Sequence, residues 1–589
     1  MQHDSLDALR PALPQTLARR AGAGASQAAG SGGVGRAAAT LAGGAFDGRC
    51  ESVVARMPPM SQAEPNAAPN AAAEASEPGN PRQLGAEPLR IEEVLALARG
   101  SLRAALDPSP AFRERIERSA ACVQDALAAG GDVYGVSTGV GASAVVAIPD
   151  ELRTEMPENL MRFHGCGTGA PLSDLESGAV VAVRLASLAR GHSGVRFELL
   201  EGLCQLLNAR ILPCIPEQGS VGASGDLTPL SYLAAALAGE REVRVNGRVR
   251  PAAEALAEAG IAPLRFRPKE TLALMNGTAV MTAIACAAWE RAARLARLAA
   301  SLTAIASDVT HGNRAHFDAR IFELKPHPGQ RRAAAWIRDD LEFDSARGAE
   351  RARLQDRYSI RCAPHVIGVL LDALDHARRI IETEIHGVDD NPLVDPDTGD
   401  ILHGGNFYGG HIAYAMDGVK SAVASVADLL DRQLALLCVP ETSDGLAPNL
   451  VAGDNVAHHG FKAMQITASA LTAEALKLTM PASAFSRSTE SHNQDKVSMG
   501  TIAARDCRSI IEMSETVAAI GLLAGCQALD LREGGSQLRP LLALRECVRK
   551  AVPTVEADRR QDHDIVRVLE LLRSNALPLA GWRAAAGAS

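Results

Sequence analysis

The chain has few aromatic residues, no excess of positive charge and no paired cysteines. Aromatic residues make up 3% of its 589 residues, with five tyrosines, so a tyrosine inside a motif is informative. Lys and Arg total 60 against 69 for Asp and Glu, and the net charge of −9 offers no attraction to nucleic acid or to an anionic membrane. The eleven cysteines contain no CxxC pair, so we predict reduced thiols in a cytoplasmic protein and no metal site.

A long apolar segment and an export signal are also missing from the sequence. No run approaches the ~18 to 20 apolar residues that a membrane helix needs, so we expect no membrane span. Arg19 and Arg20 are followed by small and polar residues, not by the apolar segment of a signal peptide. Residues 1–85 consist mainly of Ala, Gly, Pro, Ser and Gln and cannot bury enough apolar surface to fold, so we predict a disordered leader.

The rest of the chain is predicted to be mainly α. From Pro88 onward apolar residues recur every three to four positions, which is the pattern of amphipathic helices. Beyond Asn276 several predicted helices are apolar on most faces, and such helices must be buried in a bundle or against other subunits. Glycine-rich bands at 130–173 and 219–231 interrupt the helical pattern. We therefore expect a long-helix bundle with a glycine-rich, loop-built N-terminal part.

This pattern divides the chain after the leader into two further parts. Residues 86–300 are expected to form the N-terminal part that carries a reactive loop, and residues 301–589 the helical bundle with the C-terminal helices. Strand-like alternation is confined to short pieces such as EVRVNGRVRP, which predicts a β-hairpin that turns at Asn246 and Gly247.

The second glycine-rich band, GSVGASGDLTPLS, contains a tripeptide that can modify itself. In a compressed loop the backbone nitrogen of Gly225 can attack the carbonyl of Ala223, because glycine has no Cβ to block the approach. Ring closure with loss of water, followed by dehydration of Ser224, leaves an exocyclic methylidene conjugated to a five-membered ring. The sequence therefore predicts a strong electrophile that forms without an added cofactor.

Several further motifs accompany this tripeptide in a fixed order. They are YGVSTGVG at 134–141, LALMNGT at 272–278, LQDRYSIRC at 354–362, DNPL at 390–393, GGNF at 404–407 and ESHNQDKVSMG at 490–500. From about residue 88 to residue 535 the chain resembles the histidine/phenylalanine/tyrosine ammonia-lyase family. It departs from the family pattern at Ser137 and Val140, where the family has Asn and Phe.

The resemblance implies a prosthetic group and a catalytic base. The group is 4-methylideneimidazol-5-one, formed autocatalytically from Ala223, Ser224 and Gly225, with no external cofactor and no metal. It activates the amino group of an aromatic amino acid as covalent catalysis. Tyr134 is the base that removes the weakly acidic β-proton. Since its phenol must be partly ionised, we expect positive potential near Tyr134.

The resemblance also implies how the substrate is held. Arg361 clamps the substrate carboxylate through its planar fork, and the catalytic residue Tyr358, three positions earlier, faces the same side of a helix. Phe163 and His164 occupy the pair that selects the substrate side chain. The other residues expected to bind substrate are Asn276, Gln355, Phe407, Glu490 and Gln494. The family resemblance further implies a homotetramer whose subunits share active sites.

The sequence signals for the substrate side chain disagree with one another. His164 is an element of histidine lyases, whereas Asp495 stands where those lyases have a glutamate directly after Asn-Gln. Glu490, four positions before Gln494, and Arg357 are features of phenylalanine and tyrosine lyases. We therefore expect tyrosine or phenylalanine as the substrate and coumarate or cinnamate as the product, with His164 bonded to a phenol.

Three alternatives remain open at the level of sequence. One is a histidine ammonia-lyase that produces urocanate, and another is an aromatic 2,3-aminomutase, which returns ammonia to the β-carbon. The third is a helical scaffold without activity, and the intact Ser224, Tyr134 and Arg361 argue against it.

Overall fold

Long helices form the centre of the structure, as the apolar periodicity predicts. The computed structural model describes residues 81–85, 87–343, 353–532 and 534–582. Five helices pack against one another in the central bundle. They are α9 (Ala279–Val309), α13 (Ala363–His386), α14 (Gly410–Cys438), α16 (Lys462–Lys477) and α17 (Gly500–Leu531).

Helix α9 shows why these sequences become core helices. Nearly all of its residues are buried, and alanine is the most frequent of them, so neighbouring helices can approach closely. The guanidinium of Arg297 is also buried, and it forms a two-point ion pair with Asp340, with distances of 2.7 and 2.8 Å. The expected division between residues 300 and 301 falls inside this helix, within the compact unit that spans residues 75–589.

Shorter elements surround the bundle. The remaining helices are α1 (Ile91–Arg99), α2 (Pro110–Ala128), α3 (Met156–His164), α4 (Asp174–Leu188), α5 (Phe197–Asn208), α6 (Leu227–Leu237), α7 (Ala252–Glu258), α8 (Glu270–Met275), α10 (Ala319–Glu323), α11 (Pro328–Asp340), α12 (Tyr358–Arg361), α15 (Pro440–Ser443), α18 (Arg539–Arg549) and α19 (Asp562–Arg573).

The strands are short and belong to small sheets at the periphery. They are β1 (Arg82–Leu84), β2 (Ala104–Leu106), β3 (Thr168–Pro171), β4 (Leu212–Pro213), β5 (Pro216–Gln218), β6 (Glu242–Val245), β7 (Arg248–Pro251), β8 (Leu393–Val394) and β9 (Ile401–Leu402). The predicted hairpin is confirmed as β6 and β7, and Asn246 and Gly247 both have positive φ at its turn. The mainly α fold class is confirmed as well.

The end of the predicted leader forms part of the fold. Residues 1–80 of the predicted leader lie outside the described residues, but β1 lies in its last residues and pairs with β2 in parallel.

The expectation of no membrane-length apolar segment is wrong, because α17 has the length and hydropathy of one. Its most apolar window is 72% buried inside the bundle, so the apolarity of α17 is explained by its place in the core.

Candidate active site

The reactive tripeptide lies in a loop that is pressed against the segment after α8. Gly225 has φ +67°, a conformation that favours glycine, and it forms a β-bridge with Gly277. A Cβ on Gly225 would overlap the carbonyl group of Gly277. The next amide, that of Asp226, donates to the Gly277 carbonyl oxygen at 2.7 Å. The Gly277 backbone therefore lies so close to Gly225 that this position has no room for a side chain.

Two amide side chains reach Ser224 from different parts of the chain. The Asn276 Nδ2 donates to the Ser224 carbonyl oxygen at 3.2 Å, and the Gln494 Nε2 donates to its Oγ at 3.0 Å. The Asn276 Oδ1 is buried and has no hydrogen-bond partner among the described residues. The donated bond from Asn276 Nδ2 fits a five-membered ring formed from the tripeptide, because the Ser224 carbonyl would remain as the carbonyl of that ring.

Asp226 holds the reactive loop in place through three hydrogen bonds, and no role for it was predicted from the sequence. Its buried carboxylate accepts hydrogen bonds from the Ser220 hydroxyl at 2.8 Å, from the Met281 amide at 2.9 Å and from the Thr501 hydroxyl. Burial raises its pKa, and the bond from Thr501 is the largest opposing influence. The signal for this residue is its position directly after Gly225, since a carboxylate there can fix a loop that glycine leaves free.

Tyr134 lies beside a second loop and has a different electrostatic environment from the expected one. Its hydroxyl oxygen accepts from the Gly141 amide at 2.7 Å, and the Glu490 carboxylate accepts from the neighbouring Ala142 amide at 3.0 Å. Burial raises the pKa of Tyr134, the Gly141 bond lowers it, and the charge of Glu490 raises it further. The expected positive potential is therefore wrong for the described residues of one chain, because burial and a carboxylate both oppose ionisation.

Gln355, Tyr358 and Arg361 form a separate group, referred to below as the 355–361 arm. The Arg361 guanidinium carbon lies 4.5 Å from the centre of the Tyr358 ring, so both side chains share one side of α12. Its Nη2 donates to the Gln355 Oε1 at 3.3 Å and its Nε to the Asp356 carbonyl at 3.0 Å. Tyr358 is 70% exposed. Within the described part of the chain, no hydrogen bond or ring contact joins the arm to Ser224.

The proposed selector pair ends α3, which packs against α6, the helix after the reactive loop, and against α8, the helix before Asn276. Phe163 is exposed, and its ring centre lies 4.1 Å from that of His164. The Nδ1 of His164 donates to the Leu160 carbonyl oxygen at 2.9 Å, and burial lowers its pKa. His164 is therefore a neutral imidazole whose Nε2 can accept a hydrogen bond.

Phe407 lies in the loop before α14, close to the Asn276 segment. The residue is partly buried, and the Nδ2 of the preceding Asn406 donates to the Val388 carbonyl at 3.2 Å. Gly409, two positions later, packs against Thr278. These contacts bring the GGNF motif to the cradle of the reactive loop, whereas no contact of the Phe407 ring with that loop is found in the described residues.

Two buried ion pairs near the Asn276 segment were not predicted from the sequence either. Arg184 pairs with Asp389 at 2.7 Å and also donates to the Ala273 carbonyl, while Lys269 pairs with Asp390 at 2.6 Å. Only the DNPL motif pointed to this region, because charges buried by folding have no local sequence signature. The two pairs hold α8, and thus the Asn276 segment that follows it, against the body of the protein.

Comparisons with known proteins agree on the family. The model of the aromatic amino acid lyase family matches residues 89–550. The histidine ammonia-lyase of Aromatoleum aromaticum is 41% identical over 490 residues, which cover 83% of this chain and 92% of the relative. That of Gloeobacter violaceus is 40% identical, with 83% and 95% covered.

Solved structures show the same relationship. The histidine ammonia-lyase of Trypanosoma cruzi superposes with a TM-score of 0.76 at 33% identity, covering 86% of this chain and 94% of that one. The tyrosine aminomutase of Streptomyces globisporus superposes with a TM-score of 0.77 at 35% identity, covering 86% and 98%. The chain belongs to the aromatic amino acid lyase family. It is a carbon–nitrogen lyase that releases ammonia from a small aromatic amino acid.

These comparisons contradict the expectation of tyrosine or phenylalanine as the substrate, because the curated relatives at about 40% identity are histidine ammonia-lyases. Two residues on which that expectation depended have other surroundings in the structure: Glu490 accepts from the backbone amide of Ala142, and Arg357 is exposed at the start of α12. In the described chain no hydrogen bond, ion pair or ring contact joins either residue to Phe163 or His164.

Proposed function

We propose that the protein is a histidine ammonia-lyase that converts histidine to urocanate. The similarity to histidine ammonia-lyases over most of the chain carries this proposal. The tautomer of His164 supports it, because a neutral ring with Nδ1 bonded to Leu160 leaves Nε2 to accept from the N–H of a substrate imidazole. A protonated His164 would repel an imidazolium, and burial lowers its pKa away from that state.

We further propose that Ala223, Ser224 and Gly225 form 4-methylideneimidazol-5-one. The positive φ of Gly225, its contact with Gly277 and the bond from Asn276 Nδ2 to the Ser224 carbonyl support this modification. When formed, the group supplies an electrophile that activates the amino group of the substrate for elimination. Asn276 and Gln494 hold the residue from which it forms, through the bonds to the Ser224 carbonyl and hydroxyl.

Tyr134 is proposed to receive the β-proton of the substrate at its phenolic oxygen. The Gly141 amide already donates to that oxygen, so it stabilises the phenolate that acts as the base. The carboxylate of the substrate is proposed to bind Arg361, whose partly buried guanidinium is stacked on the exposed ring of Tyr358. Binding of a carboxylate by the planar fork fixes the orientation of the substrate.

The 355–361 arm is proposed to complete the active site of another subunit in a homotetramer. Its exposure supports this proposal, since a substrate clamp needs a site and no hydrogen bond or ring contact joins the arm to Ser224 within the described residues. Large apolar side chains also lie exposed on the outer faces of the long helices; they are Val369, Tyr414 and Ile466. We propose that these side chains are covered by neighbouring subunits. A cytoplasmic location is part of the same proposal and rests on sequence composition alone.

The test of the substrate is a comparison of kcat/KM for histidine, tyrosine and phenylalanine, followed by the ultraviolet absorbance of each acrylate. We expect histidine to be turned over fastest. His164→Leu removes the acceptor for the imidazole N–H, and an unpaired polar group costs about 1 to 3 kcal/mol, so histidine turnover should fall roughly tenfold to a hundredfold relative to phenylalanine. His164→Gln, which keeps an acceptor, is the matched control. Faster formation of cinnamate or coumarate than of urocanate by the wild-type enzyme would contradict the proposal.

A further inference from the structure

Two carboxyl groups and one hydroxyl group form a chain behind the Asn276 segment. The Thr278 Oγ1 lies 2.7 Å from the Glu384 Oε1 and 2.9 Å from the Asp389 Oδ2. A hydroxyl group carries a single hydrogen, so it can donate to only one of these carboxyl groups and must accept from the other. One of the two acids therefore has to carry a proton for both hydrogen bonds to exist.

The surroundings decide which acid is protonated. Asp389 receives the guanidinium of Arg184 at 2.7 Å, the amide of Thr278 at 2.6 Å and the hydroxyl of Ser187, so it is the charged partner. Glu384 forms no ion pair within the described residues. The proton therefore lies on Glu384, which donates to Thr278, and Thr278 in turn donates to Asp389.

This chain of bonds reaches the reactive loop through one residue. Thr278 directly follows Gly277, whose carbonyl accepts from the Asp226 amide and lies against Gly225. Asp389 also borders Gly277, since a Cβ there would lie 2.8 Å from its Oδ2. The position of the Gly277 carbonyl is thus set by the groups that hold Thr278.

We propose that Glu384 is a positioning residue whose protonated carboxyl group, acting through Thr278, holds the Gly277 carbonyl on the reactive loop and keeps that loop compressed. Loss of the proton would leave two carboxylates around one hydroxyl hydrogen, and the Thr278 bond to one of them would break. The inference deepens the proposed function, because the loop concerned is the one proposed to cyclise.

The charges that face Glu384 support the assignment of the proton. Burial raises the pKa of Glu384 to about 7, and the Thr278 bond lowers it. Asp389, from the loop after α13, and Asp226, from the loop before α6, raise it further. Arg184 of α4 lies beyond Asp389 and is bonded to it. Because the pKa is raised, the hydrogen bonds from Glu384 to Thr278 and from Thr278 to Asp389 are both present at low pH, and this arrangement is lost as the pH rises toward about 7.

Hydrogen exchange at the Asp226 amide tests the proposal on the full chain. Protection in a peptide that contains this amide is measured from about pH 5 to about pH 8.5 and corrected for the intrinsic exchange rate. In the wild type we expect protection to fall by up to roughly tenfold per pH unit up to about pH 7 and then to level off. Glu384→Gln should remove this slope, since an amide donates to Thr278 at every pH.

The control variants separate positioning from a general loss of stability. Glu382→Gln, two residues away on α13 and bonded to Arg378, should keep the wild-type slope. Thr278→Ser keeps the hydroxyl and should behave as the wild type, whereas Thr278→Val should show low protection at every pH. If Thr278→Val does not fold, the comparison of Glu384→Gln with the wild type still decides. An unchanged slope in Glu384→Gln would overturn the proposal, because the titrating group would then be another one such as Asp226.

Intact-protein mass distinguishes this inference from the proposed function. A wild-type chain that weighs less by two waters supports the modification of Ser224, and the cyclised fraction should be smaller in Thr278→Val than in Thr278→Ser. A wild-type chain of unmodified mass would overturn the proposed prosthetic group but leave the exchange result at Asp226 intact. Equal cyclised fractions in the two Thr278 variants would show that the hydrogen bonds of Thr278 do not promote ring closure.

Discussion

The cradle around Ser224, formed by Asn276, Gly277 and Gln494, and the 355–361 arm differ in how far apart in sequence their contacting residues lie. In the cradle, hydrogen bonds connect residues that are far apart in sequence, such as Asn276 to Ser224 and Gln494 to Ser224. In the arm, the hydrogen bonds donated by the Arg361 side chain both end within six residues, at the Gln355 Oε1 and at the Asp356 carbonyl. The cradle is therefore complete within one chain, whereas the arm is shaped locally and its functional groups face outward.

This difference separates the groups that must be in position in the folded chain from those that can be supplied when subunits assemble. Ring closure is an intramolecular reaction of the loop itself, so the cradle has to be in place in the folded chain. A carboxylate clamp acts only on bound substrate, so it can be delivered by another copy of the protein. The exposure of Gln355 and Tyr358 in one chain is consistent with that use, and the predictions below test each half of the comparison.

Breaking the cradle should have the largest effect. Gly225→Ala introduces a Cβ that overlaps the Gly277 carbonyl and strains a backbone at φ +67°, so the loop cannot stay compressed. We expect no loss of two waters in the intact mass and a fall in activity of roughly a thousandfold or more, the scale of losing a catalytic group. Mass spectrometry and urocanate formation measure the two effects.

Gly247→Ala is the matched control for backbone strain. Gly247 has φ +76°, but an added Cβ would meet no atom within 4 Å. This variant should therefore cyclise and react as the wild type does, with only a modest loss of stability. A Gly225→Ala chain that cyclises normally would show that contact with Gly277 is not required for the reactive loop.

Mixing inactive chains should sharpen the comparison by showing which residues share a subunit. Ser224→Ala and Arg361→Ala should each be inactive alone. If each site combines Ser224 of one chain with Arg361 of another, random co-assembly of equal amounts should restore about a quarter of the sites. Specific activity of the co-expressed and co-purified mixture gives the measurement.

The control for this mixture pairs two defects of the cradle side. Ser224→Ala with Tyr134→Phe should restore nothing, because Tyr134 is linked to the Ser224 region within one chain through Glu490 and Gln494. Absence of recovery in the Ser224 and Arg361 mixture, despite mixed tetramers, would place Arg361 in the site of its own chain and contradict the shared-site proposal.

The parts that could be predicted from the sequence are those with local signatures. Helical periodicity located the bundle, and Asn246 with Gly247 located the hairpin, because both depend on neighbouring residues. The cyclisation of Ala223, Ser224 and Gly225 was inferred from local chemistry as well, and it stays a prediction. The structure agrees with the spacing of Tyr358 and Arg361 on one side of a helix, since their side chains touch.

Features that depend on burial and on distant partners could not be predicted. Glu384, Asp389 and Arg184 look like surface charges in the sequence, and only folding brings them behind Thr278. The same limit explains the wrong expectation for the potential at Tyr134, because the approach of Glu490 is a long-range contact. The wrong substrate expectation depended in part on Glu490, which was interpreted as a feature of phenylalanine and tyrosine lyases; its contact with the Ala142 amide could not be predicted from the sequence.

The smallest predicted effect concerns the pH dependence of the base. The Glu490 carboxylate raises the pKa of Tyr134, so Glu490→Gln should lower it and let the phenolate form at lower pH. Glutamine keeps an acceptor oxygen for the Ala142 amide, so the loop should stay in place. We expect the rising limb of kcat/KM against pH to move to lower pH by up to about one unit. Glu258→Gln, on α7 and paired with Arg250, is the control and should leave the limb unchanged. An unchanged limb in Glu490→Gln would show that a group other than Tyr134 sets the pH dependence.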